Sequence, residues 1–589
     1  MICTTDWNRR VRALCLAVTL AGFGSLSTHA QVTGEALDHL EISQLAGGFG
    51  GELLDDDGFG FSVARIGDLN DDGIGDIAAG AWGDDDGGLD RGAVWILFLN
   101  ESGGVESQQK ISDLEGGFTG VLNDDDRFGY SLAGLGDHDG DGVEDLAVGA
   151  IFDDDGGFAH GAIWILFLDT DGTVKSHQKI SDTEGEFEGE LHFRDYLGAS
   201  LTFLGDHDGD GVGDIASGAY RDGEGEFGTE GGEGAVWILR LNTNGTVKSH
   251  AKISAQVGGF DVFLDNRDTF GRSIASIGDL DGDSVGDLVV GAPLSHDGET
   301  DYWGAVWILF LNADATVKAH HRISPIDGGL AGALLDNQDR FGFAVSNLGD
   351  INADGTNDIA VGAPRDDDGS TNPEANRGAV WILLMNPDGS VKQTQKLSDT
   401  AGFFDAPLEN DTFFGHGVAS LGDHDGDGRI EIVAGAPRSD TGGHDRGAVY
   451  YIDLVAAPTA HWSSLGHGLA GNSHKPPVLV GTGALAENGL IALTAFHAGK
   501  LGEQNVVWLH ASPEASYRPY KGGILVPDAL AVGATVTPGR TNLKATFLLR
   551  THWPAGLPQG SQMFYQAWIE DDLAPQGWSA SNAVLATAP

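Results

Sequence analysis

One acidic nine-residue segment occurs six times in this 589-residue chain, each time between two short apolar runs. The copies are DLNDDGIGD from Asp68, DHDGDGVED from Asp137, DHDGDGVGD from Asp206, DLDGDSVGD from Asp279, DINADGTND from Asp350 and DHDGDGRIE from Asp423. Side-chain oxygens recur at positions 1, 3, 5 and 9. With the backbone carbonyl of position 7, oxygens at this spacing can surround one hard divalent cation, and a glycine at position 6 permits the tight turn. The sequence therefore predicts about six Ca²⁺ ions, one for each repeat.

The predicted ligands occupy loop positions 1, 3, 5, 7 and 9, and position 7 acts through its backbone carbonyl. In chain order they are Asp68, Asn70, Asp72, Ile74, Asp76, Asp137, Asp139, Asp141, Val143, Asp145, Asp206, Asp208, Asp210, Val212, Asp214, Asp279, Asp281, Asp283, Val285, Asp287, Asp350, Asn352, Asp354, Thr356, Asp358, Asp423, Asp425, Asp427, Arg429 and Glu431. An EF-hand is excluded because position 12 is never Glu. We expect the fourth loop to be the weakest, because Ser284 replaces the turn glycine. The position-2 histidines, His138, His207 and His424, are expected to be exposed.

The loops belong to a longer repeat, whose copies begin at Phe59, Phe128, Leu197, Phe270, Phe341 and Phe414. Each copy contains four short strand-like segments, for example 60–66, 76–81, 92–99 and 105–112, and no helical period. Repeated four-stranded units of this kind predict an all-β fold, a six-bladed β-propeller, with a seven-bladed ring as the alternative.

The sixth copy stops after its third strand, which ends at Leu454. The segment Ala36–Leu45 resembles the fourth strands that begin at Val105 and Val174. We therefore predict that it completes the last blade and closes the ring, which hides the edge strands that an open array would expose. An aromatic residue that recurs at one strand position is interpreted as core between blades rather than as a platform for sugars. These residues are Trp95, Trp164, Trp237, Trp307, Trp381 and Tyr450.

The formal net charge is −55, and the acidic excess lies in the repeats. Such a field repels nucleic acid and anionic lipid head groups, so neither is expected as a partner. Residues 1–30 combine Arg9, Arg10 and Arg12 with an apolar run too short to span a membrane, as in a cleaved secretory signal peptide. Both cysteines of the chain, Cys3 and Cys15, lie in this segment. We expect a secreted or cell-surface protein without disulfides and without a membrane span.

The repeats are similar to the FG-GAP repeats of integrin α-subunit propellers and of their secreted bacterial relatives. The resemblance covers residues 35–454 and rests on Phe59-Gly60, the acidic loop and the Gly-Ala-Pro segments 291–293, 362–364 and 435–437. It implies that each acidic loop joins the first and second strands of a blade, on the face opposite the ligand surface. That surface would carry the loops that begin at Asp84, Asp153 and Asp366. We interpret those at Asp84 and Asp153 as solvated acidic turns, with extra metal or ligand sites as the alternative. The implied partner is an extracellular protein or glycan, cationic or bridged by calcium.

These observations divide the chain into a signal peptide (1–30), a propeller (31–455) and a C-terminal module (456–589). The module is neutral and rich in Pro, Gly and β-branched residues, which favours a small β-sandwich. We expect a non-catalytic protein of adhesion or extracellular recognition. Two alternatives remain open, a polysaccharide lyase or hydrolase that uses the propeller channel, and a rigid spacer whose C-terminal module does the recognising. The first would be sought in the third repeat, where 221–234 and Arg194 diverge most.

Overall fold

The computed structural model describes residues 32–455, apart from 224–231, 266, 297–301, 331–334, 336–337, 369–371, 373–374 and 405, and the backbone of ten strands between 461 and 587. Internal contacts divide the chain between Ala457 and Pro458. The regular elements of these residues are all β-strands. None of the described residues belongs to a helix long and apolar enough to pass through a bilayer.

Six four-stranded antiparallel sheets account for the strands from β1 (Ala36–Ile42) to β24. Blade 1 contains β2 (Val63–Gly67), β3 (Asp76–Ala81), β4 (Ala93–Leu99) and β5 (Val105–Ile111). Blade 2 contains β6 (Phe128–Gly136), β7 (Asp145–Ala150), β8 (Ala162–Leu168) and β9 (Val174–Ile180). Blade 3 contains β10 (Ser200–Gly205), β11 (Asp214–Ala219), β12 (Ala235–Leu241) and β13 (Val247–Ser254).

The remaining three blades repeat this order. Blade 4 contains β14 (Ser273–Gly278), β15 (Asp287–Ala292), β16 (Ala305–Leu311) and β17 (Val317–Ile323). Blade 5 contains β18 (Ala344–Gly349), β19 (Asp358–Ala363), β20 (Ala379–Met385) and β21 (Val391–Leu397). Blade 6 contains β22 (Val418–Gly422), β23 (Glu431–Ala436) and β24 (Ala448–Leu454), and its fourth strand is β1.

Strand β1 closes the ring from the other end of the chain. It pairs antiparallel with β24, from Ala36 opposite Leu454 to Ile42 opposite Val449. The six-bladed prediction is therefore confirmed, and the seven-bladed alternative is wrong. The predicted closing segment is three residues longer than the strand, which ends at Ile42.

Neighbouring blades approach most closely where two glycines meet. A Cβ atom on Gly80 of β3 would overlap the carbonyl oxygen of Gly129 in blade 2. Gly129 itself has φ +89°, a left-handed conformation that glycine adopts without penalty. The same contact recurs for Gly149 and Gly198, Gly218 and Gly271, Gly291 and Gly342, Gly362 and Gly415, and Gly435 and Gly60. The Phe-Gly of one repeat and the second-strand Gly-Ala of the preceding repeat thus form one contact between blades.

Aromatic side chains fill the space between the blades. Phe59 is fully buried and stacks on Phe49 with ring centroids 5.0 Å apart. Trp95 meets the same Phe49 edge-on, also at 5.0 Å, and is 5% exposed. Edge-to-face and offset stacked pairs are the favoured aromatic geometries. The recurring tryptophans are core, as predicted; Trp164, Trp237, Trp307 and Trp381 are equally buried.

The first strand of every blade lines the central channel. Because the strands of a blade alternate in direction, the loops between first and second strands and between third and fourth strands lie at one end of the channel. We call that end the metal-loop face. The loops between second and third strands and the connections between blades lie at the other end, the opposite face.

The C-terminal strands are β25 (His461–Ser464), β26 (Val478–Gly483), β27 (Leu490–Phe496), β28 (Val507–Ser512), β29 (Ala515–Tyr520), β30 (Gly523–Pro527), β31 (Thr535–Gly539), β32 (Phe547–His552), β33 (Gln562–Glu570) and β34 (Trp578–Thr587). They form antiparallel sheets of five, three and two strands. The all-β character of this region agrees with the sequence, and its assignment as a β-sandwich stays a prediction. The predicted signal peptide lies outside the described residues.

Candidate metal centres

The first five acidic loops fold around the carboxylate at their first position. In the first loop, Asp68 accepts the backbone N–H of Asp72 at 2.9 Å and that of Gly73 at 2.7 Å. Asp72 in turn accepts the N–H of Ile74 at 2.8 Å. Such local bonds fix the turn and leave further lone pairs on the carboxylates for an ion.

The predicted ligands come close together in several loops. Carboxylate oxygens within 4.8 Å of one another are supplied by Asp137, Asp139 and Asp145, by Asp206, Asp208 and Asp210, and by Asp279, Asp281 and Asp287. These donor sets contain only hard oxygen ligands, which is the chemistry that Ca²⁺ prefers. The residues therefore fit the predicted ion.

The carboxylate at position 9 lies beneath its loop, at the start of the second strand. Asp76 is fully buried, and its two oxygens accept the N–H groups of Leu69 at 3.1 Å and Leu99 at 3.0 Å. Burial raises the pKa of Asp76 to about 7, although both hydrogen bonds act in the other direction. Burial likewise raises the pKa of Asp145 to about 6 and that of Asp358 to about 7. A nearby divalent cation would favour the ionised form of these buried groups.

A lysine from the fourth strand contacts the loop in blades 2 to 5. Lys175 Nζ lies 3.0 Å from Asp139 and also contacts Asp141, the residues at positions 3 and 5. Equivalent contacts join Lys248 to Asp208 at 2.7 Å and Asp210 at 2.5 Å, Lys318 to Asp281 at 2.8 Å and to Asp283, and Lys392 to Asp354 at 2.7 Å. The ammonium group therefore sits between carboxylates that were predicted to hold the metal ion. In blade 1 the equivalent residue is Glu106, and in blade 6 it is Leu37.

The sixth loop departs furthest from the others. The Arg429 side chain is buried and pairs with Asp453, Nε to Oδ1 at 2.9 Å and Nη2 to Oδ2 at 2.8 Å. It also contacts Asp427, the position-5 carboxylate. Burial and the acidic neighbours raise the pKa of Glu431 at position 9. Because a buried guanidinium already engages a predicted ligand, we expect this loop, rather than the fourth, to bind calcium least well.

The fourth loop keeps the turn despite its serine. Ser284 adopts φ +72°, and its N–H donates to Asp279 at 2.7 Å, as Gly73 does to Asp68. A residue with a Cβ pays about 1 kcal/mol for this conformation. The serine thus weakens the loop through strain and removes no ligand.

The position-2 histidines connect blades. His138 and His424 are 6% and 8% exposed, so the expectation of exposure was wrong for both. Nε2 of His138 lies 3.0 Å from the carbonyl oxygen of Asn242, and Nε2 of His424 lies 3.1 Å from that of Asn100. Each carbonyl belongs to the loop between third and fourth strands of the next blade. The neighbouring blade therefore covers both of these side chains.

The acidic loops of the opposite face are also more buried than predicted. Asp84 is 3% exposed, and Lys110 Nζ lies 2.7 Å from both Asp84 and Asp86. Lys179 and Lys396 bind Asp153 and Asp366 in the same way, at 2.7 and 2.5 Å. The interpretation as solvated turns was wrong for Asp84 and Asp153, because each is buried and a lysine of the fourth strand neutralises it. In the divergent third repeat, residues 224–231 lie outside the described residues.

Comparison with known proteins agrees with these features. The FG-GAP repeat family model matches residues 270–309 and 341–383. Integrin alpha-5 of Xenopus laevis is 36% identical over 177 residues, which cover 29% of this chain and 15% of that protein. Integrin alpha-PS2 of Drosophila melanogaster is 31% identical over 252 residues, which cover 42% of this chain and 15% of that protein. The aligned part is thus a small fraction of both relatives. Residues 270–309 and 341–383 thus match FG-GAP repeats, and part of the chain is similar in sequence to integrin α subunits.

Proposed function

We propose that this chain is an exported, calcium-stabilised propeller that serves adhesion or extracellular recognition without catalysis. The calcium assignment rests on the carboxylates that cluster in the repeated loops, several of which already hold a lysine ammonium group. The similarity to integrin α subunits supports the adhesive or recognition role. The predicted signal peptide supports export.

Calcium would be held by the oxygens at loop positions 1, 3, 5 and 9 and by the carbonyl at position 7. The bound ion would supply positive charge to carboxylates that otherwise repel one another. Residues of the loops supply the other contacts. Asp68 holds the turn of the first loop, and Asp76 attaches this loop to the second and third strands through Leu99. His138 and His424 connect their loops to the next blade. A bound loop therefore stabilises both its own blade and a blade interface.

The role of the ions is structural, since all six loops lie on one face and leave the opposite face to a partner. A ligand that binds only the folded state stabilises it by about 2.7 kcal/mol when its concentration is a hundredfold above Kd. Several such sites would account for the rigidity of an exported protein without disulfides.

Calorimetric titration of residues 31–589 with Ca²⁺, together with thermal unfolding in calcium and in chelator, tests the proposal. We expect five or six bound ions, depending on the sixth loop, and a large loss of stability in chelator. The adjacent aspartates Asp71 and Asp72 supply a matched pair of variants. Asp72→Asn removes the charge of a position-5 ligand and should weaken calcium binding at that site, whereas Asp71→Asn removes the same charge from a position that is not a ligand.

Two results would overturn the proposal. One is an unfolding temperature that is the same in calcium and in chelator. The other is turnover of a purified polysaccharide by the calcium-loaded chain, which would favour the lyase or hydrolase alternative.

A further inference from the structure

The mouth of the channel on the opposite face is basic, although the chain carries a net charge of −55. A cavity of about 380 Å³ at this mouth is lined by four arginines, Arg127, Arg221, Arg272 and Arg340. They come from the ends of the first strands and from the loops of different blades. Within the described part of the chain, the last three form no ion pair with a carboxylate, and Arg127 comes no closer than 4.0 Å to Asp90.

Aromatic rings rather than carboxylates hold these arginines. The Arg272 guanidinium lies 4.0 Å from the ring centre of Phe343 and 5.2 Å from that of Tyr130. The Arg127 guanidinium lies 4.2 Å from Trp82 and 4.5 Å from Phe152. A cation–π contact fixes the plane of a guanidinium but does not use its N–H donors. The buried Nε of Arg127 has no hydrogen-bond acceptor among the described residues. The guanidinium groups of Arg127 and Arg272 are thus positioned by rings, and one donor of Arg127 is unsatisfied.

Burial and the crowding of positive charge both lower the pKa of groups at the mouth. Burial and the neighbouring Arg365 and Arg272 lower the pKa of Arg340 to about 10. Burial, together with Arg272, also holds the pKa of His416 well below its usual value, and its Nδ1 bonds the carbonyl of Phe61 at 2.9 Å. An anion in the cavity would relieve this repulsion, since an opposite charge stabilises the ionised form of each arginine.

The nearby acidic loops cannot supply that anion. Their buried carboxylates are already neutralised by lysines of the fourth strands, as Asp84 is by Lys110 and Asp153 by Lys179. The expectation that the opposite face suits a cationic partner therefore does not hold at the channel mouth.

We propose that this mouth binds an acidic sugar residue, a uronate of an extracellular polysaccharide. This inference rests on the proposed recognition function and names its ligand class. A guanidinium matches the planar carboxylate through two parallel hydrogen bonds. The rings of Phe61, Tyr220 and Phe343 supply apolar surface for the C–H faces of a sugar. A cavity of about 380 Å³ is within the range of small-ligand sites.

The number of aromatic rings in this cavity favours a sugar over an acidic peptide as the ligand. The cavity is lined by the rings of Phe61, Tyr130, Tyr220 and Phe343. A single Asp or Glu side chain of a peptide would need only the guanidinium groups. A uronate uses both kinds of contact at once, the carboxylate on the arginines and the ring on the aromatic side chains.

Calorimetry of the calcium-saturated chain with a short oligouronate tests the proposal, and the carboxyl-reduced neutral oligosaccharide is the comparison ligand. We expect the acidic sugar to bind and the neutral one to bind at least about tenfold more weakly, since bonds to a charged group are lost. Arg272→Gln and Arg340→Gln should each reduce the affinity by about the same factor. Arg65→Gln removes an arginine from the opposite end of the same channel and should leave the affinity unchanged. Phe61→Leu should weaken both sugars, since it removes a ring and keeps both the charge and the contact of Arg272 with Phe343.

Other outcomes would overturn the proposal. Equal affinity for the acidic and neutral sugars would show that the arginines do not recognise the carboxylate. If Arg65→Gln reduced the affinity for the acidic sugar as much as Arg272→Gln, the effect would come from the overall charge and not from the site. Binding of a poly-glutamate peptide but not of the oligouronate, lost in Arg272→Gln, would make the occupant an acidic peptide. Thermal unfolding with and without calcium, measured on the same samples, distinguishes loss of sugar binding from failure of the proposed calcium-stabilised fold. A variant that binds no sugar but is still stabilised by calcium has lost the ligand site and kept its fold.

Discussion

Gly435 of the last blade has no room for a Cβ atom, because that atom would overlap the carbonyl oxygen of Gly60 in the first blade. The two residues are far apart in sequence and meet only when β1 has paired with β24 and closed the ring. Ring closure therefore depends on a hydrogen-bonded strand pair and on a glycine contact next to it.

Gly435→Ala should destabilise the propeller by about 1–3 kcal/mol, because the methyl group must push backbone atoms apart in a packed interface. Urea unfolding of the calcium-saturated protein measures the change. Gly286→Ala is the matched control, since a Cβ there meets nothing within 4 Å, and we expect a change within about 0.5 kcal/mol. Similar losses in the two variants would mean that backbone freedom, rather than the contact with Gly60, sets the cost.

The lysines of blades 2 to 5 should compete with calcium for their loops. Lys175→Gln removes the ammonium from Asp139 and Asp141, and we expect the affinity of the second loop to rise about two- to fivefold, as for a partly exposed ion pair. Glu106→Lys should lower the affinity of the first loop by a similar factor. Calcium titration calorimetry measures both changes.

A change in overall charge must be separated from this local effect. Arg438→Gln removes one positive charge from an exposed side chain on the opposite face. Salt screens charges that far from the loops, so calcium affinity should not change. If Arg438→Gln raised the affinity as much as Lys175→Gln, competition by the lysine would be refuted.

The sequence was sufficient to predict the repeat, the acidic loops and the closing strand, because these depend on residues close together in one repeat. The channel mouth could not be predicted in this way. Arg127 and Arg340 each precede a Phe-Gly, whereas Arg221 and Arg272 stand at other repeat positions, and only the closed ring brings the four to one cavity. The burial of His138 could not be predicted for a related reason, since the loop that covers it belongs to the next blade.

The sixth loop can be converted to the pattern of the others. Arg429→Val alone should cost about 3–5 kcal/mol in chelator, because it leaves the buried carboxylate of Asp453 without a partner. The double variant Arg429→Val/Asp453→Phe places the residues of blade 2, Val143 and Phe167, at both positions. We expect it to recover most of that stability and to bind one more calcium ion, since Asp427 is released. Unfolding and calcium stoichiometry of both variants check this prediction. An unchanged stoichiometry in a stable double variant would show that Arg429 does not limit the site.

The calcium-free chain should become less stable as the pH rises from about 4 to about 7. Asp57 and Asp126 are each 2% exposed, and burial raises the pKa of both to about 7. Their pKa in the unfolded chain is near the ordinary value of 3.8, so the folded state binds these protons more tightly. The stability they contribute is complete below the unfolded pKa and is lost as the pH passes the folded pKa.

Unfolding of calcium-depleted protein at about pH 5.5 and about pH 8 measures this loss. Asp57→Asn/Asp126→Asn should reduce the difference between the two pH values, because each amide oxygen can still accept the N–H that the carboxylate accepts at 2.7 Å, from Leu54 and Asn123. Asp125→Asn, at an exposed position beside Asp126, should leave the difference unchanged. If the double variant kept the full difference, the buried aspartates at position 9 of the loops would have to account for all of it.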